Sequence, residues 1–241
     1  MKDSRSHAVL DLESRARKAT KIERILGLDA PHPSLTVLDI GCGSGGISHH
    51  IASLPAAHTV HAVDTVDNRM ITTGYAFQLV TGTALPFPSE TFDVVLSNHV
   101  IEHVGAIDEQ RAHLTEVRRV LKAGGVGYLA VPNRWRLVEP HYRLPALSLW
   151  PRSWRTPYLR LLRAGEMYDV EPLEASTIEK MLEAAGFRAS RVGVQAIRLT
   201  LDVEHDTSLV TRLVRRIPDG LLRPIEPLLP TLTYRLEPAL R

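Results

Sequence analysis

Short apolar runs of four to six residues alternate with longer segments of helical periodicity along much of this 241-residue sequence. Such runs are typical of buried strands in a parallel sheet, whose consecutive strands are joined by crossover helices. Five strands are predicted, at residues 36–40, 59–63, 77–80, 92–96 and 126–131. The alternation therefore predicts an α/β fold with a doubly wound sheet and helices on both faces.

Three segments carry the periodicity and the end signals of helices. Residues 8–26 place apolar side chains at helical spacing between charged ones. A second helix is predicted to begin at an N-cap, Asp108, and to stop at the glycine pair before the fifth strand. Ser176 and Glu179 have the spacing of a capping box, and Gly186 stands where a glycine commonly follows a helix end.

The length and this pattern predict a single domain rather than two. Its expected parts are an N-terminal helix and linker (1–33), a core (34–133), an insertion (134–170), a last core helix and strand (171–204) and a C-terminal extension (205–241). The strand of the fourth part is predicted at residues 191–199, without an evident hairpin partner. Five prolines interrupt the extension and predict a broken, irregular tail.

Charge and cysteine content narrow the function classes. The formal net charge of +2 is far below the basic surplus of a dedicated nucleic-acid-binding protein, so no nucleic-acid partner is expected. The single cysteine, Cys42, excludes an intrachain disulfide framework and a cysteine-based zinc site, and no metal is expected. Because no run of about 18 apolar residues and no apolar signal core is found, we expect a cytoplasmic protein.

A glycine-rich turn follows the first predicted strand. Gly41, Gly43 and Gly46 match the spacing G-x-G-x-x-G of dinucleotide-binding turns, which alone leaves the ligand open. The carboxylate of Asp39 favours a ligand with an ammonium group and a sulfonium over an anionic pyrophosphate. Asp64 ends the second strand 18 residues after Gly46, near the separation at which an acid accepts hydrogen bonds from a ribose. The alternative interpretation of Asp39 is an acid at the end of a strand, and that of Asp64 is a helix N-cap.

Several motifs in a fixed order carry a resemblance to a known family. Five segments resemble motifs of class I S-adenosylmethionine-dependent methyltransferases, nearest the small-molecule branch that includes the ubiquinone and menaquinone biosynthesis enzymes: residues 37–46, Asp64, 85–93, 97–104 and 121–125. The resemblance covers residues 34–132 and, more loosely, the helix near Gly186. It implies a Rossmann-like methyltransferase sheet.

The resemblance also implies S-adenosyl-L-methionine as cofactor and a set of residues that bind it: Asp39, Gly41, Cys42, Gly43, Gly45, Asp64, Thr65, Thr83, Ala84 and Asn98. The glycines would lie against the methionine part, Asp39 would support the amino group, and Asp64 would hold the ribose hydroxyls. The sequence departs from the family at Thr81, where relatives commonly have an Asp that contacts adenine. A threonine accepts a hydrogen bond there without charge.

Methyl transfer from a sulfonium is a direct displacement, in which the protein chiefly aligns and desolvates the reactants. A base is useful when the acceptor is a hydroxyl. The candidate bases are His141, His99, His103 and Tyr142. The sequence thus predicts methyl transfer to a small-molecule or lipid- or glycan-like acceptor. The alternatives are a methyltransferase-like binding or scaffold protein without turnover and a nucleotide-dependent oxidoreductase.

The insertion is rich in arginine and contains all three tryptophans: Trp135, Trp150 and Trp154. Arginine pairs with phosphate or carboxylate, and tryptophan occurs both in ligand pockets and at membrane interfaces. We consider three interpretations: a substrate-side lid over an anionic or aromatic acceptor, a surface that contacts lipid headgroups, and a protein contact. A basic amphipathic helix at residues 209–217 adds weight to peripheral membrane contact at the inner face of the membrane.

Overall fold

The computed structural model describes residues 12–136, 142, 144–168, 170–204 and 208–239. Seven strands occur in these ranges: β1 (Thr36–Ile40), β2 (Thr59–Asp64), β3 (Ala76–Leu79), β4 (Phe92–Asn98), β5 (Leu121–Pro132), β6 (Phe187–Arg191) and β7 (Thr231–Pro238). Eight α-helices are described: α1 (Leu12–Leu26), α2 (Gly46–Ala52), α3 (Ile107–Val120), α4 (Arg152–Leu161), α5 (Ala175–Ala184), α6 (Gly193–Val203), α7 (Leu209–Arg216) and α8 (Asp219–Leu222). Short 3₁₀ helices lie at Ile101–His103, Leu147–Leu149 and Arg223–Leu228.

The strands form one sheet in the order β3-β2-β1-β4-β5-β7-β6. Strands β1 to β5 run parallel, and β7 lies antiparallel between β5 and β6. All five strands predicted from the apolar runs are present. Because the chain turns back across β1 after β3, the carboxyl ends of β1 and β4 flank the switch point at which ligands of doubly wound sheets bind.

Helices cover both faces of the sheet, as the sequence predicts. Side chains at alternate strand positions enter two separate cores, since successive residues of a strand point to opposite faces. On one face Leu38 and Val95 pack with α3 and α5. On the other face Val37 and Val94 pack with α1, α2 and α6. Helix α1 is thus part of the second core, which fixes it beside the glycine turn that opens α2.

The last two strands correct the sequence analysis. Residues 191–199 are not a strand: β6 ends at Arg191, and α6 begins at Gly193. Val192, Ala196 and Leu199 follow each other at helical spacing and pack in the core with α1. The missing partner of β6 is β7, which lies in the stretch predicted to be an irregular extension.

Strand β7 was hidden from sequence analysis by its prolines. Leu232, Tyr234 and Leu236 alternate into the core, while Pro230 precedes the strand and Pro238 is its last residue. Proline is tolerated at the ends of a strand, where no ladder hydrogen bond is lost.

Two helix ends also differ from the predictions. Helix α3 has Ala106 rather than Asp108 as N-cap and passes into β5 at Leu121, so the glycine pair lies inside the strand. Helix α5 begins at Ala175 with Glu174 as N-cap, and Ser176 Oγ donates to the Glu174 carboxylate. The predicted capping box is therefore absent, although Gly186 does follow the helix end in the left-handed conformation.

Candidate functional site

The glycine turn between β1 and α2 has a backbone that few side chains permit. Gly41, Gly43 and Gly45 have φ angles of +69°, +55° and +78°. A Cβ atom at Gly41 would collide with the Val100 side chain, and one at Gly45 would collide with Tyr75. The turn therefore depends on glycine both for its conformation and for close approach of its neighbours.

The segment between β2 and β3 folds over this turn. Residues 65–75 contain no helix, and the N–H groups of Met70 and Ile71 both donate to the Ser44 carbonyl, at 3.0 and 3.1 Å. The Tyr75 hydroxyl donates to the Ile71 carbonyl and rests against Gly45. This crossover forms one wall of the site.

Asp39 lies on β1 beneath the turn and is only 1% exposed. Its Oδ2 accepts a hydrogen bond of 2.7 Å from Ser48 Oγ on α2. Burial raises the pKa of Asp39 to about 6, while Ser48 and the charge of Arg15 oppose that shift. The fold thus keeps a carboxylate under the turn at the cost of desolvation.

Asp64 ends β2 and ties the two strand ends together. Its Oδ2 accepts from the Gly43 N–H at 2.9 Å, and its Oδ1 accepts from the Thr65 N–H at 2.7 Å. The hydrogen bond from Gly43 holds the glycine turn against the end of β2. Oδ1 also accepts from the Val66 N–H at 3.4 Å, whereas Oδ2 retains accepting capacity, because each carboxylate oxygen offers about two lone-pair directions.

The loop after β4 supplies the remaining polar groups. Asn98 ends the strand, nearly buried, and His99 follows with a φ of +59°. His99 Nδ1 lies 3.3 Å from Oε1 of the fully buried Glu102. Burial alone would raise the pKa of Glu102, but the hydrogen bond from His99 and the charges of His99 and His103 lower it on balance.

The structure brings most of the predicted cofactor residues to one edge of the sheet. Cys42 is buried within the turn, and burial raises the pKa of its thiol, which opposes a reactive role. Thr65 follows β2, and Thr83 and Ala84 follow β3, at the same carboxyl edge. Thr81, where the sequence departs from the family, is exposed.

The candidate bases fall in two places. His99 and His103 lie in the loop after β4, at the carboxyl edge of the sheet that holds the predicted cofactor residues (the cofactor edge). Tyr142 lies in the insertion, where its hydroxyl donates to the Met167 carbonyl at 3.0 Å. His141 lies outside the described residues.

Sequence reasoning missed two charged residues at this site. Arg15 on α1 packs against Gly46, and its charge acts on Asp39 and Cys42. Burial lowers the pKa of Arg15, and those two groups partly oppose the shift. In the sequence, Glu102 stands out only as part of the motif at residues 97–104. No sequence signal links α1 to the turn, because their contact depends on how α1 packs in the core.

A sequence model of the family described as "Methyltransferase domain" matches residues 38–129, from β1 into β5. Residues 38–129 are therefore similar in sequence to a methyltransferase domain. The match includes the glycine turn, Asp64 and the loop after β4, and it confirms the predicted resemblance to class I S-adenosylmethionine-dependent methyltransferases.

Curated relatives support the same assignment. Ubiquinone biosynthesis O-methyltransferase of Parvibaculum lavamentivorans is 36% identical over 148 residues, which cover 54% of this chain and 56% of the relative. The protein of the same name from Rhizobium rhizogenes is 35% identical over 173 residues, which cover 68% of this chain and 64% of the relative. The chain thus spans about half to two thirds of the length of these curated relatives.

Solved structures confirm the fold class. A Pyrococcus horikoshii protein superimposes with a TM-score of 0.59 at 16% identity, over 97% of this chain and 95% of that one. Haemonchus contortus phosphoethanolamine N-methyltransferase 2, in complex with phosphomonomethylethanolamine and S-adenosylhomocysteine, superimposes with a TM-score of 0.53 at 16% identity. That alignment covers 92% of this chain and 52% of the nematode enzyme.

The residues at this edge fit S-adenosylmethionine, the cofactor of the class that the chain resembles. Among the described residues, the buried atoms Ser44 Oγ, Asn98 Nδ2 and Glu102 Oε2 have no hydrogen-bond partner. Such atoms are costly unless a ligand or water satisfies them. Together with the carboxylates of Asp39 and Asp64, they form a polar edge suited to the ammonium and ribose groups of S-adenosylmethionine.

We expect Asp39→Asn to stabilise the ligand-free protein at neutral pH. Since burial raises the folded-state pKa of Asp39 from 3.8 to about 6, its contribution to stability is lost as pH rises through that interval. The free-energy difference between variant and wild type should grow from near zero at pH 4 to about 3 kcal/mol at pH 7, as two pKa units imply. Urea unfolding at a series of pH values measures this.

The control for this experiment is Asp108→Asn, whose carboxylate is 85% exposed. It should show no comparable pH-dependent gain. An Asp39→Asn effect of equal size at pH 4 and pH 7 would contradict the assignment of a desolvated carboxylate.

Proposed function

We propose that this protein transfers a methyl group from S-adenosylmethionine to an oxygen atom of a small-molecule acceptor. The observation that carries the proposal is the pair of carboxylates, Asp39 and Asp64, on either side of a left-handed glycine turn within the matched domain. The name O-methyltransferase of the curated relatives supports oxygen as the acceptor atom. The domain match does not favour the oxidoreductase alternative.

The ribose and methionine parts of the cofactor have candidate partners. The free accepting capacity of Asp64 suits the ribose hydroxyls, and Asp39 beneath the turn suits the ammonium group. Arg15, whose charge acts on Asp39, suits the carboxylate of the methionine part. When bound, the cofactor supplies a sulfonium-activated methyl group.

His99 is the best-placed candidate base for an acceptor hydroxyl. Its Nδ1 faces the buried Glu102 carboxylate, so the tautomer with a proton on Nδ1 donates to Glu102 and has Nε2 as its basic nitrogen. Glu102 then acts as a positioning residue, because a buried hydrogen-bonded carboxylate fixes both the ring and its tautomer. The Tyr142 hydroxyl instead donates to a backbone carbonyl, that of Met167.

We expect Asp64→Ala to weaken S-adenosylhomocysteine binding by at least about tenfold, because hydrogen bonds to a charged group contribute roughly 1.5–3 kcal/mol each. Calorimetric titration measures the Kd, with NAD titrated in parallel. Asp108→Ala is the matched control and should bind like the wild type. Tight binding of NAD, or equal Kd values for Asp64→Ala and wild type, would sink the cofactor assignment.

We expect His99→Asn to lower methyl transfer by roughly a hundredfold, the lower range of general-base contributions. The assay follows label from methyl-tritiated S-adenosylmethionine into phenols, quinone precursors and lipid-linked sugars. The Kd for S-adenosylhomocysteine should stay within about threefold of wild type, since the base acts on the acceptor. Loss of transfer in His103→Asn with transfer retained in His99→Asn would reverse the assignment.

We also propose that the protein contacts membranes peripherally through α7 and the segment after it. Leu213, Leu221 and Leu228 are 63%, 71% and 69% exposed, although apolar side chains of this size are usually covered. Arg216 in the last turn of α7 adds positive charge, which attracts anionic lipid, whereas its neighbour Arg215 is paired with Asp202 at 2.8 Å. No helix in the described ranges is long and apolar enough to cross a bilayer.

Flotation with anionic vesicles at low salt tests this surface. We expect Leu221→Asp/Leu228→Asp to lose most vesicle binding, since both buried apolar area and charge attraction determine interfacial affinity. Leu161→Asp, a change at a leucine 78% exposed in α4, should retain binding. If Leu161→Asp alone lost binding, the insertion rather than α7 would be the membrane contact.

A further inference from the structure

A groove with unbalanced positive charge lies between α1 and α6, outside the cofactor edge. It encloses a cavity of about 80 Å³, several times the roughly 10–15 Å³ that one water needs. Arg17, Lys18, Lys21 and Ser14 line it from α1, and Glu204 lines it at the end of α6. The three cations outnumber the single carboxylate.

Two of these cations lack a partner. Arg17 donates to Glu13 at 2.6 Å, but Lys18 and Lys21 have neither a hydrogen bond nor an ion pair within the described part of the chain. Burial, together with the charges of Arg15 and Lys21, lowers the pKa of Lys18 to about 8 against the opposing charge of Glu102. Burial likewise lowers the pKa of Lys21, against the opposing charge of Glu204. Unpartnered, partly desolvated ammonium groups are costly unless an anion joins them.

The groove borders the cofactor edge without being part of it. Successive residues of an α-helix are about 100° apart, so Lys21 lies about 120° around α1 from Arg15, and Lys18 lies between them. The Glu102 carboxylate acts on Lys18, which places that lysine within electrostatic range of the loop after β4. Helix α1 thus presents Arg15 to the glycine turn and the other cations to α6.

We propose that this groove binds a carboxylate or phosphate group of the methyl acceptor, with Lys18 and Lys21 as its principal cations. The proposal rests on the proposed function and narrows its acceptor to an oxyanion-bearing small molecule. Because the charge of Glu102 acts on Lys18, an oxyanion on that lysine lies within electrostatic range of the loop that carries His99, and it would anchor an acceptor whose reacting oxygen reaches that loop. The cofactor's own carboxylate is the other source of the same chemistry, and the experiment separates the two.

The test uses the full chain, labelled with ¹⁵N and saturated with S-adenosylhomocysteine, and inorganic phosphate as the probe. Titration at constant ionic strength should give saturable shifts of amide signals from α1 and α6 around Lys18, Lys21 and Thr200. Lys18→Gln/Lys21→Gln should weaken phosphate binding by at least about tenfold in Kd, because charge-assisted hydrogen bonds are roughly twice as strong as neutral ones. Lys180→Gln, at an exposed lysine of α5, is the matched control and should not change it.

A second variant distinguishes loss of anion binding from a folding defect. Lys21→Gln alone should keep the wild-type thermal midpoint and S-adenosylhomocysteine Kd while raising the KM of carboxylate- or phosphate-bearing acceptors. Non-saturating shifts, or the same phosphate Kd in Lys18→Gln/Lys21→Gln and Lys180→Gln, would overturn the proposal.

Two outcomes identify the source of the anion. If S-adenosylhomocysteine alone shifts these amides and excludes phosphate, the cations serve the cofactor, and the acceptor assignment is wrong. The wild type could instead bind phosphate in the groove but no S-adenosylhomocysteine. In that case the proposed function and the assignment of the anion to a methyl acceptor are both wrong, and the groove is still an anion-binding site.

Discussion

The hydrogen bond from the Gly43 N–H to Asp64 joins the two strand ends on which the site depends. It holds a left-handed turn, formed by Gly41, Gly43 and Gly45, against the carboxyl end of β2. The turn starts α2, and α2 packs with α1 in the core of one face. The cofactor edge, the position of α1 and the groove between α1 and α6 all follow from the geometry of this turn.

Charged groups buried near the turn lower the stability of the fold at the site where function is proposed. Asp39 and Glu102 are both buried carboxylates, one held by Ser48 and the other by His99. Burying an ionised carboxylate is unfavourable unless its interactions compensate for lost hydration. Both acids lie at the edge where a cationic ligand and a transferable proton are expected. Such placement is typical of functional sites rather than of structural ion pairs.

Local patterns predicted most of the fold and part of the site. The apolar runs located β1 to β5, and the glycine spacing with Asp64 located the cofactor edge. Sequence analysis failed at β7, because prolines at both ends of a strand resemble a broken tail and its pairing with β5 is distant in the chain. It also missed Arg15 and the α1–α6 groove, since tertiary packing alone brings those residues together.

The proposals for this protein rest on S-adenosylmethionine binding at the carboxyl edge of β1, β2 and β4. Amide signals recorded while S-adenosylhomocysteine is added to the wild-type protein report on that edge residue by residue. We expect saturable shifts concentrated at the glycine turn, Asp64 and Asn98, with no comparable shifts on addition of NAD. Shifts confined to other parts of the sheet, or no shifts in a folded protein, would refute binding at this edge.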